Sequence, residues 1–240
     1  MPELNHYGQS LGPSLSDWKL RERPSKKVLS GKYCRLEPIT LTHSQQLFEA
    51  WHSIDDERDW TYLPINRPIT QRQSDHFITS LASSSDPLFF AVISQLTEKA
   101  VGFVALQRID PENGAVEIGW INWTPQMKRT PSSTEAIALL LSYIFDTLEY
   151  RRCAWKCDSH HEDAIKAAER LGFQYEGTLR QIQVSKGHSR DTRWYSILDK
   201  EWPALRNAMN LWLSPANVDE RGRQKQRLGE FMPAQFSVDS

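Results

Sequence analysis

The residues whose types and spacing best suit ligand chemistry lie at 124–133, TPQMKRTPSS, a polar loop with two cations, four hydroxyls and two prolines. It leads directly into TEAIALLLSYIFDTLEY, where Ala136, Leu139, Leu140, Tyr143, Ile144 and Leu148 recur at helical spacing. The start of a helix presents unpaired backbone N–H groups and a partial positive charge, so a loop feeding one is a cradle for phosphate groups. Ahead of the loop, AVEIGWINW (115–123) alternates Val116, Ile118 and Trp120, followed by Ile121, and reads as a strand. After the helix come RRCAWKC, a short β-like run, and EDAIKAAERLGF, a second helix stopped by Gly172 with Phe173 folding back on it. QYEGTLRQIQV is a further strand, so the elements that position the loop run β-α-β-α-β.

Four ordered blocks, IGWINWTPQMKRTPSSTEA, YRRCAWKC, AAERLGFQYEGTLRQ and KGHSRDTRWYS, resemble the GNAT superfamily of acyl-CoA-dependent N-acetyltransferases. The branch they are most similar to is that of the ribosomal-protein N-terminal acetyltransferases RimJ and RimL. The resemblance covers about residues 31–200, and LGFxxEGxxR at 171–180 is its most specific part. It implies an α/β fold: a mixed, mostly antiparallel, splayed sheet flanked by helices. It also implies transfer of an acetyl group from acetyl-CoA to a primary amine by direct attack in a ternary complex; no metal is expected, because no His/Asp/Glu/Cys set has ligand spacing. In that scheme the splayed strands correspond to 115–123 and 152–157 and hold the pantetheine arm, and a main-chain N–H of Ile121, Asn122 or Trp123 meets the thioester carbonyl.

The family's pyrophosphate motif, Q/R-x-x-G-x-G/A, is matched in part. Gln126 fills its first position, whereas Arg129 and Pro131 stand where glycines are usual, and proline removes a donor. Arg129, Thr130, Ser132 and Ser133 are expected to compensate through a cation, hydroxyls and the remaining amides. Thr134, Glu135 and Ala136 match the family's helix start. Glu117 stands where many relatives carry a glutamate; it is either the base that takes the amine proton or a structural carboxylate satisfied by its neighbours. Relatives commonly show Asn-x-x-Ser at the start of the later helix. Here His161 and Ala164 occupy those positions, with His160 beside them, so His161 is a candidate pantetheine donor or one of a solvated pair. Ala168 replaces the tyrosine acid of other branches, which leaves protonation of the leaving thiolate unassigned; a thiol acidic near pH 8–9 needs little help. The loop between the first two helices walls the acceptor cleft in this fold, so Trp60, Tyr62 and Leu63 become acceptor-contact candidates, or else close the core. Arg180, Lys186, Arg190, Asp191 and Trp194 match a strand-loop-strand block whose role is chiefly architectural.

These blocks must be carried by the rest of the chain. The length fits one domain with appendages. Residues 1–30 are polar and contain Pro2, Pro13 and Pro24, so an extended or partly disordered arm is expected, with Trp18 and Leu20 able to pin it. KYCRLEPI opens the domain as a strand, helices follow over 41–53 and after Thr70, and LFFAVISQ with AVGFVALQRI forms a hairpin. ILDKEWPALRNAMNLWL closes the domain at 213, and 214–240 reads as a mobile tail.

The balance of 29 basic and 30 acidic residues argues against affinity for nucleic-acid phosphates or anionic lipid. No apolar run nears the ~18 residues of a membrane span, and residues 1–14 lack the order of a secretory signal, so a soluble cytoplasmic protein is expected. Cys34, Cys153 and Cys157 have neither zinc spacing nor disulfide density and read as buried thiols. Two rivals stay open: a non-catalytic acyl-CoA-binding or regulatory protein on the same scaffold, motivated by the missing glycines, and an interaction module for nucleic acid or ribosome. The acceptor amine and the oligomeric state are not legible.

Overall fold

A computed structural model describes residues 3–221 and 223–236; residues 1–2 of the arm, and 222 and 237–240 of the tail, lie outside the described residues. The elements in order are β1 (Glu3–Leu4), β2 (Ser10–Leu11), β3 (Leu29–Ser30), β4 (Cys34–Pro38), α1 (Ser44–Trp51), α2 (Gln71–Ser83), β5 (Leu88–Ser94), β6 (Ala100–Asp110), β7 (Ala115–Trp123), α3 (Pro131–Ser142), β8 (Arg152–Asp158), α4 (Glu162–Arg170), β9 (Gln174–Ser185), β10 (His188–Leu198) and α5 (Trp202–Leu213). Eight strands form one sheet in the order β3-β4-β5-β6-β7-β8-β10-β9. All neighbours are antiparallel except β7 and β8, which are parallel because the crossover through α3 joins them.

Strand alternation sends two sets of side chains to opposite faces. Val104, Leu106, Val116, Ile118 and Cys153 pack under α3, α4 and α5 in one core. Phe89, Ala91, Phe103 and Ala105 pack under α1 and α2 with Trp51, Trp60 and Ile78 in another. Thr70 caps α2 by accepting from Gln73 N at 3.2 Å.

Three expectations are corrected in detail. The helix after the polar loop starts at Pro131 rather than Thr134, since a proline at the first helical position gives up only an N–H that has no helical partner. Its end widens into a π-turn over Tyr143–Thr147, closed by Leu148 N donating to Tyr143 O at 3.0 Å. The tail expected from 214 is folded where it is described: Leu228, Met232 and Phe236 are buried in the larger core.

Within the preceding arm, β1 and β2 pair as a short antiparallel hairpin, and residues 18–30 lie against the domain. Trp18 Nε1 donates to Glu112 O at 2.7 Å, and its ring lies against Gly114, where a Cβ would come within 2.4 Å of it. Tyr150 Oη donates to Glu22 O at 3.0 Å, and β3 pairs with β4.

Candidate active site

β7 and β8 pair from Ala115–Arg152 to Ile118–Trp155 and then part, although β7 runs on to Trp123 and β8 to Asp158. A bulge explains the fork. The β6–β7 register shifts between Phe103 and Ala105, and Trp120 takes φ 52, so the extra residue bends β7 away from β8. Beyond the fork, residues 119–123 have no strand partner on the β8 side. Ile121 and Trp123 turn to the larger core. Asn122 turns the other way, is buried, and accepts from Trp51 Nε1 at 2.8 Å, while its Nδ2 has no partner among the described residues.

The polar loop follows at once. Met127 N and Lys128 N both donate to Thr124 O, closing a turn, and Arg129 adopts φ 58 at the position where a glycine would be unstrained. The amides of Arg129, Thr130 and Ser132 have no acceptor among the described residues, and the Thr130 side chain does not cap α3. Thr130 Oγ1 donates to Met127 O at 2.7 Å, Ser133 Oγ to Thr130 O at 2.8 Å and Ser132 Oγ to Tyr33 O at 3.4 Å. The three hydroxyls therefore brace the loop, and the bare donors are main-chain amides beside the cations of Lys128 and Arg129. This set fits a diphosphate. Gln126 is exposed at the rim, in a cleft of about 420 Å³ shared with Ser132 and Lys99.

Thr134 points elsewhere: its Oγ1 accepts from Arg170 Nη2 at 2.8 Å. Glu135, beside it, accepts from Lys32 N, Tyr33 N and Cys34 N at 2.7, 2.6 and 2.8 Å, tying the entry to β4 onto the first turns of α3.

On the α1–α2 face, Gln107 continues the row of Phe103 and Ala105 and donates to Glu117 Oε1 at 2.6 Å. Lys156 Nζ is 2.6 Å from Glu117 Oε2, at angles outside hydrogen-bond geometry, and Arg108 Nε is 3.4 Å from the same oxygen. Lys156, the first β8 residue past the fork, also lies 3.5 Å over the Trp194 ring. Burial pulls its ammonium below the ordinary lysine range, against the opposing pull of Glu117. Glu117 is thus enclosed by Gln107, Lys156 and Arg108. Further along β8, Asp158 accepts from His160 N at 2.9 Å and faces Arg190 at 3.8 Å. Asp191 accepts from Gln181 N at 2.7 Å, which holds the bulge of β9, and Arg180 is exposed.

The acceptor-loop candidates separate. Trp60 and Leu63 are buried in the smaller core, whereas Tyr62 sits at the mouth of the fork. Its ring stacks on His161 with centroids 4.2 Å apart, and its hydroxyl donates to His160 O at 3.0 Å. Burial lowers the His161 imidazole below its ordinary value. Lys186 Nζ donates to Trp60 O at 2.7 Å, and Lys128 pairs with Asp59.

The three cysteines are free and buried, and burial raises their thiols, that of Cys157 to about 11. Lys156, Asp158 and Asp59 are residues at the fork that sequence reading did not single out, and Glu135 was noted only as part of the helix start. A polar residue inside the apolar run of β8 was the available signal for Lys156; the others depend on contacts more than thirty residues distant or on chain geometry.

A family profile described as "Acetyltransferase (GNAT) domain" matches residues 34–174. Among solved structures, a GCN5-related N-acetyltransferase from Brucella melitensis is 45% identical, covering 90% of this chain and 99% of its own, with TM-score 0.88. An uncharacterized N-acetyltransferase, p20, of Bacillus licheniformis is 26% identical over 70% of this chain and 93% of its own length. The putative ribosomal N-acetyltransferase YdaF of Bacillus subtilis is 32% identical over 42% of this chain and 55% of its own.

Proposed function

This chain belongs to the GNAT acetyltransferase family, and from that premise we propose that it transfers an acetyl group from acetyl-CoA to a primary amine, a small molecule or a peptide N-terminus. The observation that carries the reading is the fork between β7 and β8 opening onto the bare amides of Arg129, Thr130 and Ser132. Strand edges there have main-chain groups free to bind an amide-bearing arm, and the helix start beyond them favours phosphate.

Acetyl-CoA supplies the activated acetyl group as a thioester with a thiolate leaving group. The chain's own residues do the rest. A main-chain N–H within 121–123 polarises the carbonyl, a role that asks for a donor fixed before the reaction begins. Arg129 and Lys128 balance phosphate charge. Glu117 takes the amine proton, directly or through water, once Lys156 yields its hold on Oε2. Holding acetyl-CoA and amine together in one cleft contributes proximity without a covalent enzyme intermediate, in keeping with the raised thiols.

Calorimetric titration with acetyl-CoA, followed by thiol release over a panel of amines, tests the reading. Micromolar binding with turnover is expected. Binding without turnover over a broad panel would favour the acyl-CoA-binding alternative, and no binding at millimolar ligand would remove both.

A further inference from the structure

The segment 58–63 spans the mouth of the fork. On one side Asp59 is paired with Lys128, which follows β7; on the other Tyr62 is bonded to His160 and stacked on His161, which follow β8. Lys186 fixes the Trp60 carbonyl from the β9–β10 turn, and the Trp60 ring is anchored edge-on to Trp51 with centroids 5.0 Å apart. An acceptor approaching the fork from the α1–α2 face therefore meets this strap.

The two members of the Asp59–Lys128 pair differ in freedom. The Asp59 side chain is 10% exposed and rides on the short turn Arg58–Trp60, whereas Lys128 is 43% exposed on a flexible stem. Lys128 is also flanked by the phosphate cradle, next to Arg129. A diphosphate bound there competes for the ammonium with more charge than one carboxylate offers. When Lys128 turns to it, Asp59 cannot follow, and Arg58 is already engaged by Asp56. Asp59, little exposed while Lys128 covers it, then loses its counter-charge, and a carboxylate without one attracts the next cation that reaches it.

We propose that Asp59 is the cation site for the acceptor, masked by Lys128 until phosphate occupies the 126–133 loop. The acceptor class is then an amine arriving as an ammonium, or carrying a second ammonium that stays charged while the first reacts. The inference rests on the acetyl-CoA reading above and adds to it a linkage between the two substrates that is carried by one lysine.

Acetyl-CoA titration of the wild type, Asp59→Asn, Lys128→Met and the double variant tests it. Asp59→Asn frees Lys128 and is expected to tighten acetyl-CoA binding by about fivefold or more, the scale of a typical coupling between sites. Lys128→Met weakens binding, and adding Asp59→Asn to it restores nothing. In the wild type, saturating CoA is expected to raise the affinity for 1,4-diaminobutane, and in Asp59→Asn it does not. Unchanged or weaker acetyl-CoA binding in Asp59→Asn, or equal diamine affinity with and without CoA, overturns the proposal. Failure of the wild type to bind acetyl-CoA at all instead removes the reading on which it rests.

Discussion

Glu117 is buried, bonded by Gln107 and paired with Lys156, and its two expected roles make opposite predictions. Glu117→Gln keeps the shape and the Gln107 contact but leaves Lys156 buried without a counter-charge. We expect turnover to fall and the pH profile to shift with acetyl-CoA affinity little changed; unchanged turnover would assign the carboxylate to architecture. His161 gives a pH prediction with a definite sign. Its imidazole is lowered by burial, so the unfolded chain protonates before the folded one. Above about pH 6.5 both states are neutral and the residue contributes no pH dependence. As pH falls through that value stability declines, levelling off once the folded imidazole is protonated as well. Melting curves between pH 5 and 8 should show this decline in the wild type and a smaller one in His161→Phe.

At the level of the element, the start of α3 is held from behind and left open in front. Glu135 accepts three amides of the segment entering β4, and Gly31 passes so close that a Cβ would meet its carboxyl at 2.5 Å. Glu135→Ala should cost about 3 kcal/mol in urea denaturation, since charged hydrogen bonds are lost and buried donors are left unpaired. In front, Arg129 carries a left-handed backbone together with a cation. Arg129→Gly separates the two. It relieves strain of about 1 kcal/mol and so holds or raises the melting temperature. Acetyl-CoA binding should nevertheless weaken about tenfold, the worth of one charged hydrogen bond. Undiminished affinity would show that the amides alone hold the phosphates.

Over the whole molecule, segments 18–30 and 228–236 are both held on the domain. The guanidinium groups of Arg21 and Arg151 lie 4.6 and 5.4 Å from the Trp18 ring, at the end of β7 and β8 opposite the fork. The tail covers the α3–α5 side with Leu228, Met232 and Phe236. Ending the chain at residue 214 removes these three, each worth roughly 1.5–3 kcal/mol when buried, and should lower the melting temperature by more than any single substitution above. Truncation without loss would mean that the tail merely rests on the surface.

The order of elements from the first strand of the domain to its closing helix was legible in the sequence because it follows from local periodicity and from helix starts and stops. The LGF turn at 171–173 and the strand-loop-helix at 115–142 resembled GNAT blocks closely enough to give the fold and the family. The missing glycines were legible too, although not how they are tolerated: Arg129 takes the glycine conformation, Pro131 becomes the first residue of α3, and the hydroxyls brace the loop. The folding of the tail was hidden because three apolar residues among many charged ones show no period. What only the tertiary structure decided is which charges meet. Glu117 with Lys156, Glu135 with the amides of 32–34, and Asp59 with Lys128 are pairs 39, 101–103 and 69 residues apart. Electrostatic partnership depends on distance in space, which sequence separation does not encode.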